Sequence, residues 1–460
     1  MSDPQLAEFG RLFSEFLRRA LEAAPAERSE LVERLTDHLG TDPVGLPVVS
    51  ETYEVFEHAN LHLAVQAYVT SEGCRAELVG IGGGAGREHH TLSELLSGGF
   101  GFRYSIGTVE YASVPVGAAT DLTVVRFGLF LISDGDVQLA ALLRGTSEMM
   151  SRTGRAALGL EVLCADPAAA QRMLSRVREL MATHNVFRGQ VVSFEEHEFS
   201  HGVGPLRFHA RPVLGRDDVI LPAGTLAEVE RQIIGVAEHR ERLRAAGHPL
   251  KRGVLLFGPP GTGKTHTVRY LTAALAEFTV VLMSGLGLRF VQQACALARL
   301  VQPALVVLED VDLVAESRNI RSGMDNPLLY QVLNEMDGLP GDADVAFVLT
   351  TNRVDLLEEA LAQRPGRVDV AMEVPLPDEA SRRRLLRLYG RRLALDDEDV
   401  AAVVVATDGV TASFFAELAR RATLLAAVEG EPHAGGSHVQ RALTELQASR
   451  ALLAATVPGR

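Results

Sequence analysis

The segment Gly258-Pro259-Pro260-Gly261-Thr262-Gly263-Lys264-Thr265 has the residue types and the spacing needed to hold a phosphate group. It fits the pattern G-x-x-x-x-G-K-[ST]. Glycine lets the backbone curl, so that successive N–H groups point at one centre and cradle an anion. Lys264 offers a point charge to β- and γ-phosphates, and Thr265 offers a hydroxyl to Mg²⁺. Such a loop needs a strand before it and a helix after it. Val254-Leu255-Leu256-Phe257 is a short apolar run that reads as a buried strand, and His266 to Ala276 reads as a helix. The dipole of that helix adds to the attraction for phosphate.

Two other segments imitate binding motifs. His197-Glu198-Phe199-Ser200-His201 matches H-E-x-x-H, which binds zinc when both histidines share a helical face. Here a strand-like run, Val191 to Phe194, precedes it and Gly202-Val203-Gly204-Pro205 follows. A helix would break at once, so a solvated hairpin loop is expected. Ile81-Gly82-Gly83-Gly84-Ala85-Gly86-Arg87 is glycine-rich, but no clear helix opens after it, and a surface loop is expected.

A chain of 460 residues with 47% apolar content has room for two or three domains. A net charge of −14 argues against a nucleic-acid or anionic-membrane surface over the whole molecule. Cys74, Cys164 and Cys295 are scattered without metal-ligand spacing, which suits a reducing compartment and a cytoplasmic location. The N-terminus does not read as a signal peptide, and no run reaches membrane-spanning length.

The elements along the chain follow from periodicity. Leu6, Phe9, Leu12, Phe13, Phe16, Leu17 and Leu21 recur at helical spacing from Pro4 to Ala24, giving an amphipathic helix expected to pack on its own domain. A second helix spans Ser29 to Leu39. Thr108 to Val114, Leu122 to Ile132, Val137 to Leu143, Leu158 to Cys164 and Gly189 to Phe194 read as strands. Asp166-Pro167 starts a helix that runs to Thr183. Further on, Ala304 to Leu308 and Val345 to Leu349 are buried strands that alternate with helices. That alternation gives an α/β fold with a parallel sheet and ligands at the strand ends. From Asp378 onward nearly everything reads as helix.

In this order, the motifs resemble the AAA subgroup of P-loop ATPases over roughly residues 215 to 430. Gly253 to Phe257 is similar to the family's lead-in to the phosphate loop. Asn334-Glu335-Met336-Asp337-Gly338 resembles its turn before the sensor strand, and Thr351-Asn352-Arg353 resembles sensor 1. Arg364-Pro365-Gly366-Arg367-Val368-Asp369 looks like the arginine-finger segment, and Gly409 to Ser413 resembles the start of the lid helix. The resemblance implies an ATPase that uses ATP and Mg²⁺. Gly258 through Thr265, with His266 and Ala412, would bind nucleotide, Ala412 at the adenine. Thr265 and Glu309 would hold the metal. Of the catalytic residues, Glu309 would act through the metal, Asp310 and Asn352 would act on the attacking water, and Arg364 and Arg367 would reach the nucleotide of the next subunit. It also implies a homo-oligomeric ring, expected to be a hexamer, while the acidic charge is what argues against a nucleic-acid partner.

Two departures stand out. The family's carboxylate pair usually runs Asp-Glu, whereas here it is Glu309-Asp310. Threading members also carry an aromatic-hydrophobic-glycine pore loop. The corresponding segment, Ser284 to Val291, is short, and its single aromatic, Phe290, is expected in the core. The expected organisation is an N-terminal α/β domain over 1–205, an ATPase α/β domain over 206–376, a helical lid over 377–452 and a tail over 453–460, with no protease segment after the lid. The expected function is ATP-driven remodelling of a protein client recognised by the N-terminal region. The alternative is a nucleotide-gated binding module with slow or no turnover, which the departures favour. A nucleic-acid remodeller ranks below both because of the charge.

Overall fold

The structure, a computed structural model, describes residues 4–23, 28–83, 87–98, 104–145, 158–196, 203–312, 334–335, 338, 340–353 and 369–456. The chain divides into two compact units, Met1–Val186 with His197–Pro205 and Phe187–Glu196 with Leu206–Arg460. No helix among the described residues is long and apolar enough to cross a membrane.

The first unit is built on an antiparallel sheet of seven strands: β1 (Val48–Tyr53), β2 (Cys74–Gly82), β3 (Ser105–Gly107), β4 (Glu110–Gly117), β5 (Thr120–Asp134), β6 (Val137–Arg144) and β7 (Leu158–Leu163). Their order is β1-β7-β6-β5-β2-β3, with β4 also paired to β5. Its helices are α1 (Pro4–Ala23), α2 (Glu30–Leu39), α3 (His58–Val69), α4 (Leu92–Ser97) and α5 (Pro167–Thr183). Strand alternation gives the sheet two apolar faces. Phe130 and Ile132 pack with α3 and α5, while Leu129 and Leu131 pack with α2 and α4. Asp166 caps α5 by accepting from Ala168 N at 2.9 Å, as its Asp-Pro start requires.

A bulge interrupts β5. Glu110 faces Phe127 while Tyr111 faces Val125, so Arg126 is the extra residue. Val125 and Phe127 therefore fall in opposite cores. Two buried histidines one turn apart on α3 satisfy the backbone there. His58 Nε2 donates to Val125 O at 2.8 Å, and Val125 N donates to His62 Nδ1 at 3.3 Å.

Helix α1 departs from expectation. It forms over the expected residues, but Phe9, Leu12, Phe13 and Phe16 are exposed rather than packed on their own domain. Phe9 and Phe13 stack on each other with ring centroids 5.8 Å apart.

The second unit holds a second seven-stranded sheet, made of β8 (Val191–Glu196), β9 (Val203–His209), β10 (Arg252–Phe257), β11 (Thr279–Ser284), β12 (Ala304–Glu309), β13 (Val345–Thr351) and β14 (Val370–Glu373). The order is β14-β10-β13-β12-β11-β8-β9. The pairs from β14 through to β8 are parallel, and the middle strands are apolar on both faces, as a sheet covered on both sides requires. This corrects the boundary at 205. The strand near Gly189–Phe194 is not part of the first sheet, because Val191, Val192 and Ser193 pair with Val280, Val281 and Leu282 of β11. Pairing there covers an edge of β11 that would otherwise be open.

Two arginines, Arg252 buried and Arg211 half-buried, tie this unit together. Arg252, at the start of β10, pairs with Asp344, just before β13, at 3.0 Å. Arg211 donates to Leu275 O at 3.1 Å, Gly189 O at 3.0 Å and Phe278 O at 2.8 Å, and also to Thr272 O. It thereby closes the C-terminal end of the helix that follows the phosphate loop. A separate apolar cluster joins four later helices: α6 (Glu379–Tyr389), α7 (Asp397–Ala406), α8 (Ala412–Val428) and α9 (Gly436–Thr456).

Candidate nucleotide-binding site

The phosphate loop leaves the end of β10 and enters the helix Lys264–Ala274 at Gly263. Two of its glycines are irreplaceable for separate reasons. A Cβ on Gly258, at φ 142°, would lie 2.3 Å from Val374 O, on backbone that cannot give way. A Cβ on Gly261, at φ 77°, would lie 2.5 Å from Ser413 Oγ. The same contact brings helix α8 onto the loop, where Ser413 N donates to Gly261 O at 3.1 Å.

Lys264 is buried. Its ammonium donates to Gly258 O at 2.7 Å and Pro259 O at 2.9 Å, so it bridges back across its own loop. Burial pushes its pKa down, while Asp310 and Asp312 pull it up. Thr262 closes the loop through Oγ1 to Pro259 O at 2.9 Å.

The carboxylates arrive on the neighbouring strands. Glu309 ends β12 and is hydrogen-bonded by the Thr265 side chain, yet its Oε1 is buried without a partner. Burial raises its pKa, the Thr265 bond opposes that, and Asp310 adds to it. Asp310 has left-handed backbone at φ 50°, which aspartate tolerates better than most side chains. Its N–H donates to Thr350 Oγ1 at 3.0 Å, and its Oδ1 accepts from Asn352 Nδ2 at 3.3 Å.

These groups surround one cleft of about 320 Å³. Pro260, Gly261, Gly263, Lys264, Thr265, His266, Asp310, Asn352 and Ala412 line it, whereas Gly258, Pro259, Thr262 and Glu309 are not among its lining residues. Its other wall is Asp218–Leu221 with Leu385, Tyr389 and Ser413. His266 Nε2 donates to Asp218 O at 3.0 Å, tying that wall to the loop's helix. Leu385, Tyr389 and Asp218–Leu221 carry no motif. Only the folding of α6 and the 216–221 segment over the loop reveals them. Arg364 and Arg367 lie outside the described residues, as does the H-E-x-x-H segment.

A family model described as "ATPase family associated with various cellular activities (AAA)" matches residues 254–376. The chain carries an AAA-family ATPase domain. Over 261 residues the chain is 34% identical to an ATP-dependent zinc metalloprotease, FtsH 2, of Symbiobacterium thermophilum, covering 54% of this chain and 43% of the relative. Over 263 residues it is 28% identical to 26S proteasome regulatory subunit 6A of Schizosaccharomyces pombe, covering 54% of this chain and 60% of that protein. The chain thus spans about half the length of these relatives.

Within the AAA domain, the expected pore-loop segment is a 3₁₀ turn, Gly285–Phe290, followed by a helix, Val291–Leu300. Phe290 is buried against Phe194, with ring centroids 6.0 Å apart, and Arg289 lies over its ring at 4.6 Å. The core reading of Phe290 holds. At the family's turn before the sensor strand, Glu335 pairs with Arg299 at 3.3 Å.

Proposed function

We propose that the chain hydrolyses ATP in this cleft as a subunit of a homo-oligomeric ring, a hexamer, and spends that energy on remodelling a protein client. The observation that carries the reading is the convergence of Lys264, Asp310 and Asn352, from three different segments, on one cleft at the phosphate loop, with Glu309 next to Asp310 and bonded by Thr265.

The donor set fits Mg²⁺. Thr265 and Glu309 present hard oxygens side by side, and Glu309 Oε1 has an unused lone pair in a buried place. When bound, the ion neutralises charge on the β- and γ-phosphate oxygens. The chain's own residues do the rest. Loop N–H groups and Lys264 orient the triphosphate. Asp310 orients the attacking water and takes its proton, while the Asn352 amide fixes that water in line. A new O–P bond forms as the bond to the β-phosphate oxygen breaks. Arg364 and Arg367 act on the neighbouring subunit's nucleotide, where a planar, permanently charged fork suits a phosphoryl oxygen.

Similarity to an ATP-dependent metalloprotease and to a proteasome regulatory subunit supports a protein client. The first unit, with its exposed aromatic face on α1, is the part assigned to client recognition. The chain's three cysteines, free and two of them buried, fit a cytoplasmic setting.

One observation favours a second reading, a nucleotide-gated module with slow turnover. Asp310 stands where a longer carboxylate would reach the water, and a misplacement of about 1 Å can cost roughly 100-fold in rate. Steady-state ATP hydrolysis measured across protein concentration, with mass by light scattering, separates the two. Activity per subunit that rises as a ring forms supports the motor. A ring that binds ATP without turnover supports the gate.

A further inference from the structure

We propose that Asp312, acting with Thr351, is the positioning residue that holds Asn352 against Asp310 at the mouth of the nucleotide cleft. This rests on the ATPase reading of that cleft. Asp312 is buried and is not among the residues lining the cleft, so it acts through others.

Strand β13 ends at Thr351, and its pairing with β12 stops at Leu349. Asn352 therefore stands beyond the ladder, where its N–H has no strand partner. Asp312 supplies one. Its Oδ1 accepts from Asn352 N at 3.2 Å and from Thr351 Oγ1 at 2.9 Å. The Thr351 oxygen in turn accepts from Arg353 N at 3.0 Å. The peptide groups on both sides of Asn352 are thus fixed by one buried carboxylate and one hydroxyl. The contact they set up, Asn352 Nδ2 to Asp310 Oδ1, is long at 3.3 Å. A contact of that length does not hold the amide in place by itself. The backbone holds it, which leaves the amide free to exchange Asp310 for a water or a phosphate oxygen without moving.

The test compares Asp312→Ala, Asp312→Asn and Thr351→Val in the full chain, measuring kcat, KM for ATP and hydrogen exchange at residues 349–353. Thr351→Val is nearly isosteric and guards against a folding failure at Asp312. Asp312→Ala and Thr351→Val are expected to lower kcat roughly 10- to 100-fold with KM for ATP within about threefold. Asp312→Asn, which keeps an acceptor oxygen, should recover most of the rate. The double variant Asp312→Ala with Asn352→Ala should be no slower than Asn352→Ala alone. Exchange at residues 349–353 should speed up at least about tenfold in Asp312→Ala. Unchanged kcat in both single variants, equal loss of binding and turnover in both, or multiplying defects in the double variant would overturn the proposal. If the wild type hydrolyses no ATP, the ATPase reading fails, and exchange alone decides the latch: unchanged exchange overturns it.

Discussion

Asn352 Nδ2 lies 3.3 Å from Asp310 Oδ1, joining the ends of two adjacent parallel strands in front of the buried Lys264. In the proposed mechanism this pair handles the water, and its carboxylate is the shorter of two neighbours. Replacing Asn352 with Ala should leave ATP affinity near wild type and lower kcat. Exchanging the order, Glu309→Asp with Asp310→Glu, should raise kcat by about tenfold, because the longer side chain reaches further toward the γ-phosphate. Steady-state ATP hydrolysis reads both. A reversed pair that turns over no faster would mean that the order does not limit the rate.

Lys264, the proposed phosphate ligand, also braces its own loop through Gly258 O and Pro259 O. Charge-assisted hydrogen bonds are worth about 1.5–3 kcal/mol each, and Lys264→Ala removes them together with the charge. Calorimetric titration with ATP should show no binding for this variant. Unchanged affinity would sink the assignment of the loop.

The buried pair Arg252–Asp344 pins the starts of β10 and β13, the strands whose far ends carry the phosphate loop and Asn352. Asp344→Ala leaves a guanidinium buried without its partner, although Leu250 O still accepts from it at 2.7 Å. Removing one member of such a pair costs about 3–5 kcal/mol. Denaturant unfolding should show a loss of that size in the second unit, with Asp344→Asn milder because an acceptor remains. A loss below about 1 kcal/mol would show that the pair contributes little.

His62 gives the first unit an acid limit. Its Nδ1 accepts from Val125 N, a role open only to the neutral ring. Burial lowers its pKa from 6.5 to about 4, with His58 adding to the shift. The unfolded chain therefore binds the proton more readily than the folded one. This contribution to stability is complete above about pH 6.5 and fades as pH falls toward 4. His58, also depressed by burial, acts in the same direction. At ~1.4 kcal/mol per unit, the His62 shift alone is worth about 3 kcal/mol. Thermal melts of the full chain from pH 7.5 to 4.5 should show the first unit weakening, and His62→Gln should flatten the slope. An identical slope in that variant would remove His62 as the cause.

The phosphate loop and its flanks were legible because the chemistry is local, with eight consecutive residues carrying it between an apolar strand and a helix. The work of Asp312 was not, since it depends on β12 and β13 lying side by side, a contact between residues about forty positions apart. Strand β8 reads as a strand from its own residues, but its pairing with β11 of the second sheet is not legible there, for the same nonlocal reason. Helix α3 escaped notice because it is buried on most of its surface. Its histidines and Asn60 interrupt any apolar stripe, so no amphipathic period marks it. Helix α1 misled in the opposite way: its period was real, but its apolar face is exposed.

The last prediction concerns action between subunits. The segment carrying Arg364 and Arg367 runs into Asp369, whose Oδ2 accepts from Gly253 N at 2.7 Å and whose N–H donates to Gly253 O at 2.9 Å. The end of the finger segment is thus anchored beside the strand that feeds the phosphate loop. Arg367→Ala should keep ATP affinity and lose turnover, since an arginine that serves a neighbour's phosphate is not needed to fill its own cleft. Mixing Arg367→Ala with Lys264→Ala subunits separates action within a subunit from action across an interface. Neither variant hydrolyses ATP alone. In a mixed ring, a Lys264→Ala subunit can lend its intact arginine to the intact cleft of an Arg367→Ala neighbour. Partial recovery of hydrolysis in the mixture is the expected outcome. To exclude poisoned rings, the ratio of the two variants is varied, since recovery across an interface peaks at intermediate ratios. A flat, inactive series, with light scattering showing that mixed rings form, would rule out an arginine acting in trans.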